Sequence, residues 1–218
     1  MAMKYRSSFG LVGDQSSAQS VGQSRSEGGF TLVEVLVAIV ILAFGMLGTV
    51  GMQAFAIQAN RDARLQAQAV VFARELAEMM RGNKEIAVKT TAAANPYLVT
   101  SMTMASPSYC MRVANASTGC TSTLDVASAE MTDWLARVAA ELPDARVTVC
   151  FDGAPYDSNG LPQWTCNSTG ADEIVFIKIG WTRTVTDKSQ SGSAALERAN
   201  DSGSRPYVVV PVTSGNTV

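Results

Sequence analysis

The chain has 218 residues, 17% of them charged, and a formal net charge of −2. That length holds one compact domain plus an anchoring segment. With no basic excess the chain has little to hold a phosphate backbone, and nucleic-acid binding is not expected. Histidine is absent, which removes the commonest metal ligand, the proton carrier best suited to neutral pH, and any Ser-His-Asp triad or Cys-His pair. No metal site and no cofactor are expected.

Residues 1–29 are polar and small, rich in Ser, Gly and Gln, and carry Lys4, Arg6 and Arg25 against Asp14 and Glu27. They show neither helical nor strand periodicity and are expected to be disordered. The character changes at Phe30. Residues 30–60 read FTLVEVLVAIVILAFGMLGTVGMQAFAIQAN, with Glu34 the only ionisable side chain. As a helix, Val35–Asn60 is ~39 Å long, enough to cross a hydrocarbon layer of ~30 Å. The weak positive balance ahead of it argues for a cytoplasmic amino terminus. Gly45, Gly48 and Gly51 interrupt the run, either to let helices pack closely or to let this stretch unwind.

Beyond Asn60 the pattern becomes amphipathic. Leu65, Ala69, Phe72, Leu76 and Met80 recur every three or four residues, with Arg61, Asp62, Arg64, Arg74, Glu75 and Glu78 largely off that stripe. Arg74 and Glu78 are spaced to pair along the helix. Gly82-Asn83 reads as a C-terminal cap, so one helix is expected from Thr31 to Arg81, about 76 Å long. Residues 84–128 read as a long connection with one short strand. A second helix is expected over Ala129–Leu142, stopped by Pro143. Strands are expected at Ala145–Phe151, Glu173–Arg183 and Tyr207–Val212, with a polar loop over Thr186–Arg205. The resulting domains are a leader, 1–29, a membrane and assembly half-helix, 30–60, and an α+β headpiece, 61–218.

Gly29-Phe30-Thr31-Leu32-Val33-Glu34 stands directly ahead of the apolar run. It resembles the type III signal of type IV pilins and pseudopilins. The resemblance implies cleavage between Gly29 and Phe30 by prepilin peptidase, N-methylation of Phe30, and an assembly role for Glu34. The residue chemistry agrees. Gly29 has no side chain to hinder a protease cleft. Cleavage would expose an amine on Phe30 that is mostly protonated near neutral pH, one helical turn from the Glu34 carboxylate. In a bundle of such helix ends, Glu34 can pair with the amine of a neighbour and so set axial register. Two other readings use the same segment: an ordinary signal anchor, and a secretory signal cut after Ala54-Phe55-Ala56, although the run exceeds a usual signal-peptide core.

The stretches EVLVAIVILAFGMLGTVGMQ and DWLARVAAELP, with a strand ending in Trp181, most resemble PilV-type minor pilins (type IV pilus modification proteins). That resemblance implies a pilin-like α+β fold, a long helix packed on a small antiparallel sheet. It implies incorporation into the pilus, priming its assembly or altering adhesion. The implied partners are prepilin peptidase, other major and minor pilins, and the inner-membrane assembly platform. The implied location is the bacterial inner membrane before assembly, then the periplasm and pilus fibre. A type II secretion pseudopilin shares the signal and the helix. A membrane-anchored periplasmic enzyme or binding module would need a polar constellation that the sequence does not display.

Cys110, Cys120, Cys150 and Cys166 all follow the apolar segment and form no C-x-x-C pair. They read as two disulfides in an oxidising compartment, with buried free thiols the alternative. Local pairing, 110 with 120 and 150 with 166, is the simplest of three connectivities. Asp152, Asp157, Asn159 and Gly160 miss the EF-hand spacing for calcium and read as a solvated turn. Asn115, Asn167 and Asn200 sit in N-x-S/T sequons that the bacterial-type signal discounts. Trp134 and Trp181 are expected in the core.

Overall fold

A computed structural model describes residues 28–168, 173–185 and 189–213. The expectation of a disordered leader falls on residues 1–27, outside these. The chain divides between Val50 and Gly51 into two units, each taken by itself. Helix α1, Leu32–Gly82, belongs to both.

In the second unit the elements follow as the carboxyl-terminal part of α1, α2 (Lys84–Ala87), α3 (Thr123–Glu141), β1 (Arg146–Phe151), β2 (Val175–Gly180), β3 (Arg183–Thr184), β4 (Leu196–Glu197) and β5 (Val208–Val212). Strands β1, β2 and β5 form an antiparallel sheet with β2 central, and β3 and β4 form a separate antiparallel ribbon. The register places Val147, Ile179 and Val208 side by side, then Val149, Ile177 and Val210, then Phe151, Val175 and Val212. Side chains alternate along a strand, so these apolar rows share one face. They form one core cluster with Ala69, Phe72, Leu76 and Met80 of α1 and with Met131, Trp134, Leu135 and Val138 of α3. The apolar stripe read from the sequence is thus the buried face of α1, widened by Ala73 and Ala77.

The opposite sheet face is also covered. Thr148 and Lys178 sit there at 3% and 0% exposure. Asp152, just past β1, carries an ion pair with Lys178 at 2.5 Å, both side chains fully buried. The segment after Asp152 is tied back to β1 by the Cys150–Cys166 disulfide. It also brings Trp164 against Gly180 of β2. A Cβ on Gly180 would stand 2.8 Å from Trp164 Cζ2, so only glycine leaves room for the indole. The Arg146 guanidinium carbon lies over the Trp164 ring, 4.3 Å from its centroid.

Several boundaries differ from the sequence reading. Helix α3 begins at Thr123, not Ala129, because Ser122 caps it, accepting a hydrogen bond from the Asp125 amide at 3.1 Å. Gly82 does not adopt the left-handed conformation of a helix-ending glycine. Instead the Asn83 amide still reaches the Met79 carbonyl at 3.0 Å, and the chain turns into α2. The expected strand in 84–128 is a single bridge, Val99 to Val149, with hydrogen bonds of 3.1 and 2.7 Å. The expected strand through Arg183 ends at Gly180, and Trp181 follows it in the core. The polar segment 186–205 contains β4, whose Glu197 pairs with Arg183 at 3.0 Å; residues 186–188 lie outside the described ones. Glu78 pairs with Arg81 at 2.5 Å instead of Arg74.

Candidate functional site

In the first unit, the described residues begin with Gly28-Gly29 in non-helical backbone, with no other group within 4 Å of either Cβ position. Phe30 is 81% exposed. Thr31 then starts the helix: its hydroxyl accepts from the Glu34 amide at 3.2 Å, and its carbonyl accepts from the amides of Glu34 and Val35. A Thr-x-x-Glu sequence is a capping box by residue type, and its threonine half is formed here. Glu34 therefore occupies the first turn, where the positive end of the helix dipole favours a carboxylate. It is exposed, and among the described residues it forms no ion pair. The chemistry thus places Gly29, Phe30 and Glu34 within one turn of an accessible helix start. The threonine cap is what the sequence reading did not separate from the processing motif.

From Val35 to Val50 every residue of the helix is exposed, Phe44 at 72% and Leu47 at 69% among them. So large an apolar surface cannot stand in water and must be covered by lipid or by other helices. Among the described residues α1 is the helix long and apolar enough to cross a membrane. Gly45, Gly48 and Gly51 lie in unbroken helix. Nothing stands within 4 Å of their Cβ positions, so their bare backbone is open to a neighbour. Thr49 folds its hydroxyl onto the Met46 carbonyl at 2.8 Å, which removes a polar group from that surface.

The headpiece organises its polar groups structurally. Cys110 is bonded to Cys120 and Cys150 to Cys166, the local pairing among the connectivities the sequence allowed. Cys110, Cys120 and Asp125 cluster closely enough to hold a metal, but the disulfide removes both thiolates as ligands. Asp125 instead accepts from the Ser108 hydroxyl at 2.5 Å and the Thr121 amide at 3.1 Å. Those bonds, the hydroxyl first, hold its carboxyl below the usual carboxylate range. Asp152 is not part of a solvated turn as expected: it is 2% exposed and paired with Lys178, because the segment after it folds back over the sheet. Asp157 closes the turn to Gly160, accepting from the amides of Asn159 and Leu161 and pairing with Arg205 at 2.8 Å. Trp134 and Trp181 are both buried. Asn115 caps its own loop by donating to the Tyr109 carbonyl at 2.9 Å.

Two clefts test the catalytic alternative. One, of about 500 Å³ between residues 92–106 and the start of α3, is lined by Leu98, Met104, Leu124 and small residues, with no ionisable side chain. Another, of about 370 Å³, is lined by Asp62, Arg183, Glu197, Arg205 and Tyr207; Arg183 pairs with Glu197 and Arg205 with Asp157.

A family model described as a prokaryotic N-terminal methylation motif matches residues 24–50. A second, described as type IV pilin Tt1218, matches residues 51–132. The two stretches adjoin and together cover half of the chain. Neither a curated protein nor a solved structure matches it. The matches point to a structural subunit and to processing by prepilin peptidase, and the methylation motif with its apolar helix suggests membrane anchoring.

Proposed function

Because the chain belongs to the type IV pilin superfamily, we propose that it is a minor pilin that enters, or primes assembly of, a type IV pilus. Prepilin peptidase cuts between Gly29 and Phe30, and the new Phe30 amine is N-methylated, which preserves its positive charge. Before assembly the protein spans the inner membrane once, its amino terminus cytoplasmic and its headpiece periplasmic. It then passes to the assembly platform and packs among other major and minor pilins.

One observation carries this reading: an apolar stretch of helix, exposed at every residue from Val35 to Val50, begins at a capped turn that holds a single carboxylate, Glu34. Hydrophobicity supplies the drive to bundle, and one charge per helix end sets the stagger. The headpiece contributes a rigid, doubly disulfide-bonded surface.

The test is mass spectrometry on protein extracted from membranes and on sheared filaments. A mature chain that starts at N-methylated Phe30 and co-purifies with pili is expected. A mature chain that starts at Met1 or Ile57 would overturn the reading. Recovery with secretion components in place of pili would make it a type II secretion pseudopilin.

A further inference from the structure

The second sheet face contains a pair whose chemistry the filament reading leaves unused. Six ion pairs occur among the described residues, and five keep at least 21% of each side chain exposed. The sixth, Lys178 with Asp152, is buried completely on both sides, with Nζ 2.5 Å from Oδ2. A charged pair without solvent gains nothing from hydration, and its attraction must meet the whole desolvation cost.

The surroundings are directional. Nζ also donates to the Thr165 carbonyl at 2.8 Å, which fixes the amine from a second side. The other carboxylate oxygen, Oδ1, accepts two backbone amides, Ala154 at 2.9 Å and Asn167 at 3.1 Å. Two fixed N–H donors on one oxygen are the arrangement that stabilises an oxyanion at a carbonyl carbon under attack. The oxygen nearest the amine is left without those donors. Cys150–Cys166 holds the segment that supplies Asn167 and Thr165 against β1, so the donors are positioned in advance.

We propose that Lys178 and Asp152 condense to an intramolecular isopeptide bond in the folded, oxidised headpiece. The ammonium passes a proton to Oδ2, which gives an amine and a carboxylic acid. Nζ attacks Cγ, and the negative charge gathers on Oδ1 between the amides of Ala154 and Asn167. A second Nζ proton moves to the departing Oδ2 hydroxyl, the Cγ–Oδ2 bond breaks, and one water leaves. One N–H remains on the new amide, and the pair's two charges are gone. No oxidant or other co-reactant is needed. Burial withholds the water that would reverse the step. The bond would join the end of β1 to the centre of β2, beside the disulfide.

This inference rests on the headpiece alone and stands apart from the filament reading. The experiment is peptide mapping of the full-length protein from membranes, reduced and alkylated. Lys178 is the only tryptic site between Arg146 and Arg183. The isopeptide blocks it, so trypsin returns residues 147–183 as one peptide lighter by one water. In Lys178→Arg the site is cut again and no water is missing. A wild-type digest that yields only 147–178 at its full sequence mass overturns the proposal, and leaves an ordinary buried ion pair.

Discussion

The indole Nε1 of Trp134 donates to the backbone carbonyl of Phe72 at 3.1 Å, across 62 positions of sequence. The two rings also meet edge-on, with centroids 6.2 Å apart. One side chain thus ties α3 to α1 by a buried hydrogen bond and by aromatic packing, with Arg137 and Glu75 pairing at the rim at 2.5 Å. Trp134→Ala should cost about 3–5 kcal/mol through the cavity left behind. Trp134→Phe keeps much of the volume but orphans no charged group, and should cost less than the alanine variant. Denaturant unfolding of the detergent-solubilised protein checks the order; equal costs would show that the packing contributes little.

Gly180→Ala tests the covering of the second sheet face. The added methyl would meet Trp164 Cζ2 at 2.8 Å and Cη2 at 3.1 Å. Trp164 is held from behind by Arg146 and by its hydrogen bond to Ser204 at 3.2 Å. The ring has to shift, and overpacking of this kind costs about 1–3 kcal/mol. An unchanged melting temperature would mean that the 152–168 segment yields freely.

What the sequence displayed were periods, and periods report burial against near neighbours. The rows through Val147, Ile177 and Ile179 and the stripe from Leu65 to Met80 could be read because each strand or helix carries its own pattern. Lys178 could not. It sits off the apolar alternation of β2, where a lysine normally meets solvent, and it is buried by a partner 26 residues earlier and by a loop that a disulfide folds over it. Nothing local signals that closure. The start of α3 is a different case, since Ser122 and Asp125 carried a cap signal that apolar period alone overlooked. At Thr31 the cap was hidden in plain view, because the same residues also resemble a processing signal.

Asp125 should make stability pH-dependent near the Cys110–Cys120 loop. Its carboxyl is held below the usual range, first by the Ser108 hydroxyl and then by the Thr121 amide, with desolvation opposing. The folded state therefore binds this proton less readily than the unfolded chain. The contribution is complete above the ordinary aspartate value of about 3.9, and fades as pH falls through the lower folded value. Ser108→Ala should lower the melting temperature at neutral pH, and the gap from wild type should narrow in acid. A gap that stays constant with pH would place the serine's effect elsewhere.

Glu34 should matter for assembly more than for processing. The proposed cut lies four residues upstream, where Gly29 has open space around it and Phe30 is exposed. A protease working there needs a small residue at Gly29, not a carboxylate a turn into the helix. Assembly makes the opposite demand. Packed among apolar helices, the Phe30 amine needs a counter-charge, and a carboxylate without one is expensive to bury. The Thr31 cap holds Glu34 in the first turn, and on the proposed mechanism register would follow from which amine that carboxylate meets. Glu34→Ala should be cleaved normally yet be depleted from pili. Gly29→Leu should stay uncleaved, and the longer precursor should collect in the membrane. Immunoblots of whole cells beside sheared filaments distinguish the two. If Glu34→Ala enters filaments as wild type does, the carboxylate does not set register, and the stagger must come from the headpieces.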